Sequence, residues 1–166
     1  DGHVIFTSGA SEAIAIGLGG GKAGRIVTSA VEHDAVLRVT KGAERLAVDG
    51  DGIVRNPVRA ELVEAPLLPK EKEGPSTGSG RTDHKTLFAI QHVNNETGVI
   101  QPLDELARDG AILFADCAQS AGKLPLPDAD MIAISGHKFG GPPGIGALLI
   151  RDLALIEASG GQEQGY

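Results

Sequence analysis

The sequence predicts an α/β domain, a mostly parallel β-sheet with helices on both faces. Three observations predict it. Apolar runs of strand length alternate with amphipathic stretches of helix length along the chain. The runs are nearly continuous in Val, Ile, Leu and Ala, as strands buried on both sides require. A hydrophobic share of 41% over 166 residues is enough for one core, built from aliphatic residues because aromatics make up only 3%.

In chain order, strands are expected over residues 4–7, 25–28, 45–48, 86–91, 111–115, 131–134 and 146–150. Helices are expected over 10–18, 33–41, 57–65 and 102–108. Asp49-Gly50-Asp51-Gly52 reads as a turn or short hairpin link. Gly19-Gly20-Gly21-Lys22-Ala23-Gly24 has the spacing of a dinucleotide fingerprint, but it precedes a strand where the fingerprint follows one. It also fails the phosphate-loop pattern, with Ile16 at the first Gly position and Ala23 in place of Ser or Thr, and reads as a helix C-cap and link. Residues 69–85 are charged and then rich in Gly, Ser and Thr. Without apolar side chains beyond proline they are expected to form an exposed, flexible insertion.

Composition narrows the partners. A formal charge of −7 argues against nucleic acid, and no apolar run is long enough to span a bilayer. The single cysteine, Cys117, has no intrachain partner, which fits a reducing cytoplasm. The chain opens without Met, directly on a strand, and stops in a polar Gly-rich stretch, so it is read as a piece of a longer protein.

The functional signal is positional. Open α/β sheets bind ligands beyond the carboxyl ends of their strands. Five expected strands end in polar clusters: Ser8-Gly9-Ala10-Ser11-Glu12, Ser29-Ala30-Val31-Glu32-His33, His92-Val93-Asn94-Asn95-Glu96-Thr97-Gly98, Asp116-Cys117-Ala118-Gln119 and Ser135-Gly136-His137-Lys138. Singly, each has a plain reading: Ser8 or Ser11 as a helix cap, Asn94-Asn95 and Gly98 as a tight turn, Asp116 as a cap, His137-Lys138 as a solvated pair. Together, on a parallel sheet, they converge on one rim. Pyridoxal 5′-phosphate needs such a set: a lysine amine for its aldehyde, a buried carboxylate beside its pyridine nitrogen, a helix N-terminus with small hydroxyls for its phosphate, and a flat stacking partner.

The wording of the motifs adds a resemblance. T-S-G-A-S-E-A, V-E-H-D-A-V-L, H-V-N-N-E-T-G-V-I-Q-P, D-C-A-Q-S-A-G-K and S-G-H-K-F-G-G-P-P-G-I-G-A-L occur in that order. The set resembles the cysteine desulfurases, within the class V aminotransferase group of fold-type-I pyridoxal-phosphate enzymes. The resemblance runs along nearly the whole chain except residues 69–85, and favours a desulfurase through N-N-E-T-G, S-G-H-K and the terminal G-G-Q-E-Q-G. It implies a single large, cofactor-binding domain over residues 1–166, with the N-terminal segment and the C-terminal small domain lying outside this sequence.

By the same resemblance Lys138 would hold the cofactor as a Schiff base and later move protons. Asp116 would pair with the pyridine nitrogen, Gln119 would bond the ring hydroxyl, and Asn95 would lie near that oxygen. His33 would stack on the ring and assist acid–base steps. Ala10 and Ser11 would cradle the phosphate with Ser135 and His137, and Gly136 joins these cofactor-binding residues. Ser11 stands where relatives usually have Thr, and Pro143 where they usually have Lys. The implied activity converts L-cysteine to L-alanine, passing sulfur to an enzyme persulfide for iron–sulfur cluster or thio-cofactor synthesis. It is implied in a cytoplasmic homodimer that serves a sulfur acceptor or scaffold, with no metal ligands. The persulfide cysteine and a substrate-binding arginine are implied beyond Tyr166, so this chain alone is expected to be inactive. Other readings are a selenocysteine lyase or an aminotransferase of the same class, a non-catalytic remnant and, more distantly, a nucleotide-binding Rossmann domain.

Overall fold

The computed structural model describes residues 2–55, 85–106 and 110–157. Seven strands form one sheet: β1 (His3–Thr7), β2 (Arg25–Ser29), β3 (Glu44–Leu46), β4 (Thr86–Gln91), β5 (Ile112–Asp116), β6 (Met131–Ser135) and β7 (Gly146–Ile150), in the spatial order β1-β7-β6-β5-β4-β2-β3. β2 to β6 pair in parallel, while β7 runs antiparallel to both its neighbours, β6 and β1. β1 therefore points the same way as β2–β6. The carboxyl ends of six strands and the amino end of β7 share one rim, where Thr7 and Ser135 both stand opposite Gly146.

α1 (Ala10–Gly19) forms because Ala10, Ala13, Ile14, Gly17 and Leu18 recur at the spacing of one helical face. That face packs on the sheet around Phe114, Ala133 and Leu148. Gly17 is required there, since a Cβ would come within 2.5 Å of the Phe114 ring. α2 (Asp34–Val39) lies beside α1 and adds Val36 to the same cluster. Residues of β5 alternate between the two faces, with Ile112 and Phe114 under the helices and Leu113 and Ala115 in the second cluster, alongside Ile90, Leu103 and Leu106. At the sheet edge, β1 leaves Val4 and Phe6 exposed on the face opposite Ile5.

All seven expected strands are present, within a residue or two of their expected bounds. The expected helix over 33–41 forms as α2, with His33 as its N-cap. The expected helix over 102–108 is a correction as far as Leu106, residues 107–108 lying outside the described residues. It is a single 3-10 turn, Leu103–Glu105, after which Leu106 is extended. A spacing of three puts Leu103 and Leu106 into the second core cluster without further helical turns. Asp49–Gly52 closes a small hairpin link, in which Val48 bridges Val54. The Gly19–Gly21 stretch ends α1, with the Gly20 N–H donating to Ile16 O at 3.0 Å. The helix expected over 57–65 lies outside the described residues, as does all of the 69–85 insertion except Lys85.

Candidate active site at the carboxyl rim

A cavity of about 520 Å³ opens at the shared rim, within the size range of small-molecule and cofactor sites. All five strand-end clusters contribute to it or to its supporting layer. Ala10, Ser11, His33, Asn95, Asp116, Gln119, Ser135, His137 and Lys138 all line it. Gly136 does not line it: it is buried, and its N–H donates to Ile145 O at 2.8 Å.

The α1 end of the cavity begins at Gly9, whose φ of 156° and ψ of 178° suit glycine alone. Gly9 offers no side-chain cap to the first-turn N–H groups of α1, and Ala10 and Ser11 of that turn line the cavity. Glu12 instead turns back to accept the Ser8 N–H at 2.6 Å, which holds its carboxyl below the ordinary range.

At the floor, Asp116 ends β5 and is buried. One of its oxygens accepts the Ala118 N–H at 2.9 Å. Burial pushes this carboxyl above its ordinary proton affinity, against the pull of the Ala118 N–H and of His33. Gln91, opposite Asp116 in the sheet register, is buried and also lines the cavity.

Across the site, His33 caps α2, its Nδ1 accepting the Ala35 N–H at 3.1 Å. An accepting Nδ1 puts the proton of the neutral ring on Nε2. At the mouth, Gly136–Phe139 forms one 3-10 turn that carries His137 and Lys138, both exposed. Ser135 Oγ and His137 Nδ1 lie 3.1 Å apart, so the last residue of β6 steadies the turn bearing the lysine.

The two adjacent asparagines divide their work. Asn94 is buried and structural: its Oδ1 accepts the N–H groups of Glu96 and Thr97, and its Nδ2 donates to Val31 O. Asn95 is exposed and faces the cavity. Cys117 points the other way, fully buried in the second core cluster, and burial pushes its thiol up to about 12. Sequence reasoning did not single out Gln91, nor Glu32 as a buried acid beside the floor. Gln91 was detectable as the last residue of an apolar strand, whereas the direction of the Glu32 side chain carries no local signal.

Residues 1–164 match the family model for aminotransferase class-V. The chain belongs to that family. Within class V, it is 38% identical over 182 residues to the cysteine desulfurase IscS of Shewanella sp. strain W3-18-1, covering 98% of this chain and 42% of that protein. The chain thus spans less than half the length of the curated relatives it matches. The solved structure of SspA in complex with cysteine superposes with a TM-score of 0.72 at 28% identity, covering 97% of this chain and 48% of that one. DndA from Streptomyces lividans gives 0.65 at 35% identity, over 89% and 42%. The class V assignment and the mostly parallel sheet agree with the fold-type-I architecture expected from the motifs.

Proposed function

We propose that this chain is the cofactor-binding core of a cysteine desulfurase and that it holds pyridoxal 5′-phosphate in the rim cavity. The observation that carries the reading is the meeting of an exposed lysine, a buried carboxylate, a histidine and an uncapped helix N-terminus around one cavity. The donor set fits the cofactor. The buried Asp116 carboxylate, costly without a cation, suits a protonated pyridine nitrogen. The free N–H groups of α1, with Ser11, Ser135 and His137, suit a phosphate. When bound, pyridoxal phosphate supplies an electron sink for charge developing on the substrate's α-carbon.

The chain's own residues do the rest. Lys138 Nζ would hold the cofactor and would move a proton at the substrate carbon. Asp116 would keep a positive charge at the floor. His33 offers a flat ring with its proton on Nε2, and Gln119 and Asn95 offer polar groups at the cavity wall. Cys117 is unsuited to accept sulfur, because its thiol is buried and held protonated.

The desulfurase reading within class V draws on the IscS and DndA relatives and on SspA having been solved with cysteine. With it we infer L-cysteine as substrate, a homodimer, a sulfur acceptor and a cytoplasmic setting, with the 166 residues forming one large domain. Among the described residues no helix is long and apolar enough to cross a membrane. The test is the visible absorbance of the purified protein mixed with pyridoxal phosphate. A lysine-bound band that disappears in Lys138→Ala is expected, and a band unchanged by that substitution overturns the assignment.

A further inference from the structure

Glu32 immediately precedes His33, and its side chain is turned inward, 6% exposed. One of its oxygens accepts from the Ser29 hydroxyl and the other accepts the Gln91 N–H at 2.8 Å. The neighbouring carbonyl, Val31 O, accepts from Gln91 Nε2 at 2.6 Å and from Asn94 Nδ2 at 3.0 Å. The peptide leading into His33 is thus tied to the ends of β2 and β4 and to the turn after β4. The ring bond of His33 runs within its own turn, to the Ala35 N–H. Its place over the cavity therefore follows from where the main chain of residues 31–33 is held.

We propose that Glu32 is a positioning residue for the site: its carboxyl bridges the turn after β2 to the end of β4 and so sets where the His33 ring stands over the cavity. The inference rests on the cofactor reading above. A buried acid is a costly way to fill this space, since an apolar side chain would pack there without desolvation. What the carboxyl adds is two hydrogen-bonding oxygens at a fixed separation, one for each side of the gap. Burial raises its proton affinity to about 8, against the pull of the Ser29 hydroxyl and with Asp116 pushing the same way. At neutral pH it is mostly an uncharged acid, so glutamine is its near equivalent: the amide oxygen can accept the Gln91 N–H while the NH₂ group donates to Ser29 Oγ.

The experiment measures the dissociation constant of pyridoxal phosphate and the visible circular dichroism of the bound cofactor. It uses the wild-type protein, Glu32→Ala, Glu32→Gln, His33→Ala and the Glu32→Ala/His33→Ala pair, with far-ultraviolet dichroism as the folding control. Glu32→Ala is expected to weaken binding about tenfold and to alter the visible dichroism, as loss of a buried hydrogen-bonding bridge predicts. Glu32→Gln is expected to stay within about threefold of wild type, because the bridge survives. In the His33→Ala background the added loss should fall below about twofold, since the effect runs through the ring.

Fully additive losses, or a folded Glu32→Ala protein with wild-type affinity and dichroism, overturn the positioning role alone. If Glu32→Ala does not fold, the glutamine variant decides: a folded Glu32→Gln protein that binds about tenfold more weakly overturns it. A wild-type protein without a Lys138-dependent band overturns the cofactor reading and the positioning role with it.

Discussion

At the floor of the cavity Asp116 and Gln91 are buried, and Glu32 lies beside them with both oxygens occupied, whereas at the mouth Lys138, His137 and His33 are exposed. The floor sits on strand ends, where main-chain N–H groups of the sheet meet the side chains. The mouth sits on single turns, the one over Gly136–Phe139 and the N-cap of α2. Floor residues have their charge set by burial and little freedom to move. Mouth residues keep ordinary solvation and the freedom to reach a ligand. Changes at the mouth should therefore alter chemistry with little effect on stability, while changes at the floor should alter both.

The largest expected effect is at the mouth. Lys138→Ala should abolish the lysine-bound absorbance while shifting unfolding free energy by no more than about 0.5 kcal/mol, as for exposed side chains generally. Urea unfolding of the cofactor-free protein beside the absorbance spectrum tests both halves. A large stability loss would break the distinction between floor and mouth.

The floor should reveal itself through pH. The proton affinity of Glu32 rises from 4.5 in the unfolded chain to about 8 in the folded protein. Between those values the folded protein holds a proton that the unfolded chain has released. Stability should thus be greatest on the acid side and fall as pH rises from about 4.5 to about 8, by on the order of a few kcal/mol. Asp116, raised from 3.8, acts in the same direction from a lower starting pH. In Glu32→Gln the fall should be much shallower between pH 5 and 8 in urea midpoints. Equal slopes in the two proteins would show that Glu32 does not carry the floor's pH response.

Between floor and mouth lies the close approach of β7 to α1. A Cβ on Gly146 would stand 2.5 Å from Gly9 Cα. Gly146→Ala should cost about 1–3 kcal/mol by overpacking, read in thermal melts, and widen the α1 end of the cavity. Gly19→Ala, where a Cβ meets nothing within 4 Å, should be neutral or slightly stabilising in the same thermal melts. In the core behind the floor, Cys117→Ala should cost about 1 kcal/mol through lost packing, with cofactor affinity unchanged. The wild-type thiol should resist aromatic disulfide reagents until the protein is unfolded; rapid labelling of the native protein would contradict its burial.

Much of this molecule was legible in the sequence because the signals are local. Apolar runs of four to six residues bounded by polar clusters located all seven strands, most plainly β4–β7, which are buried on both faces and need that composition. The apolar spacing of α1 located its buried face, the polar clusters located the rim, and the residues that the motif resemblance names line its cavity except the buried Gly136. The 102–108 stretch failed the local test because two leucines three apart serve a 3-10 turn and a helix equally well.

What the tertiary structure alone decided is how the members of each cluster are separated, those named by the motif resemblance facing the cavity and their neighbours turned away from it. Asn95 rather than Asn94, His33 rather than Glu32, and Asp116 rather than Cys117 look into it. Neighbouring residues of similar polarity are separated by strand order and by which main-chain groups lie opposite them, such as Gln91 N–H for Glu32 and Val31 O for Asn94. The antiparallel entry of β7, which brings Pro143 and Gly144 to the same rim, is equally a matter of pairing. Hydrophobic periodicity is set within a few residues of the chain. Hydrogen-bond partners drawn from strands dozens of residues apart exist only once the sheet has formed.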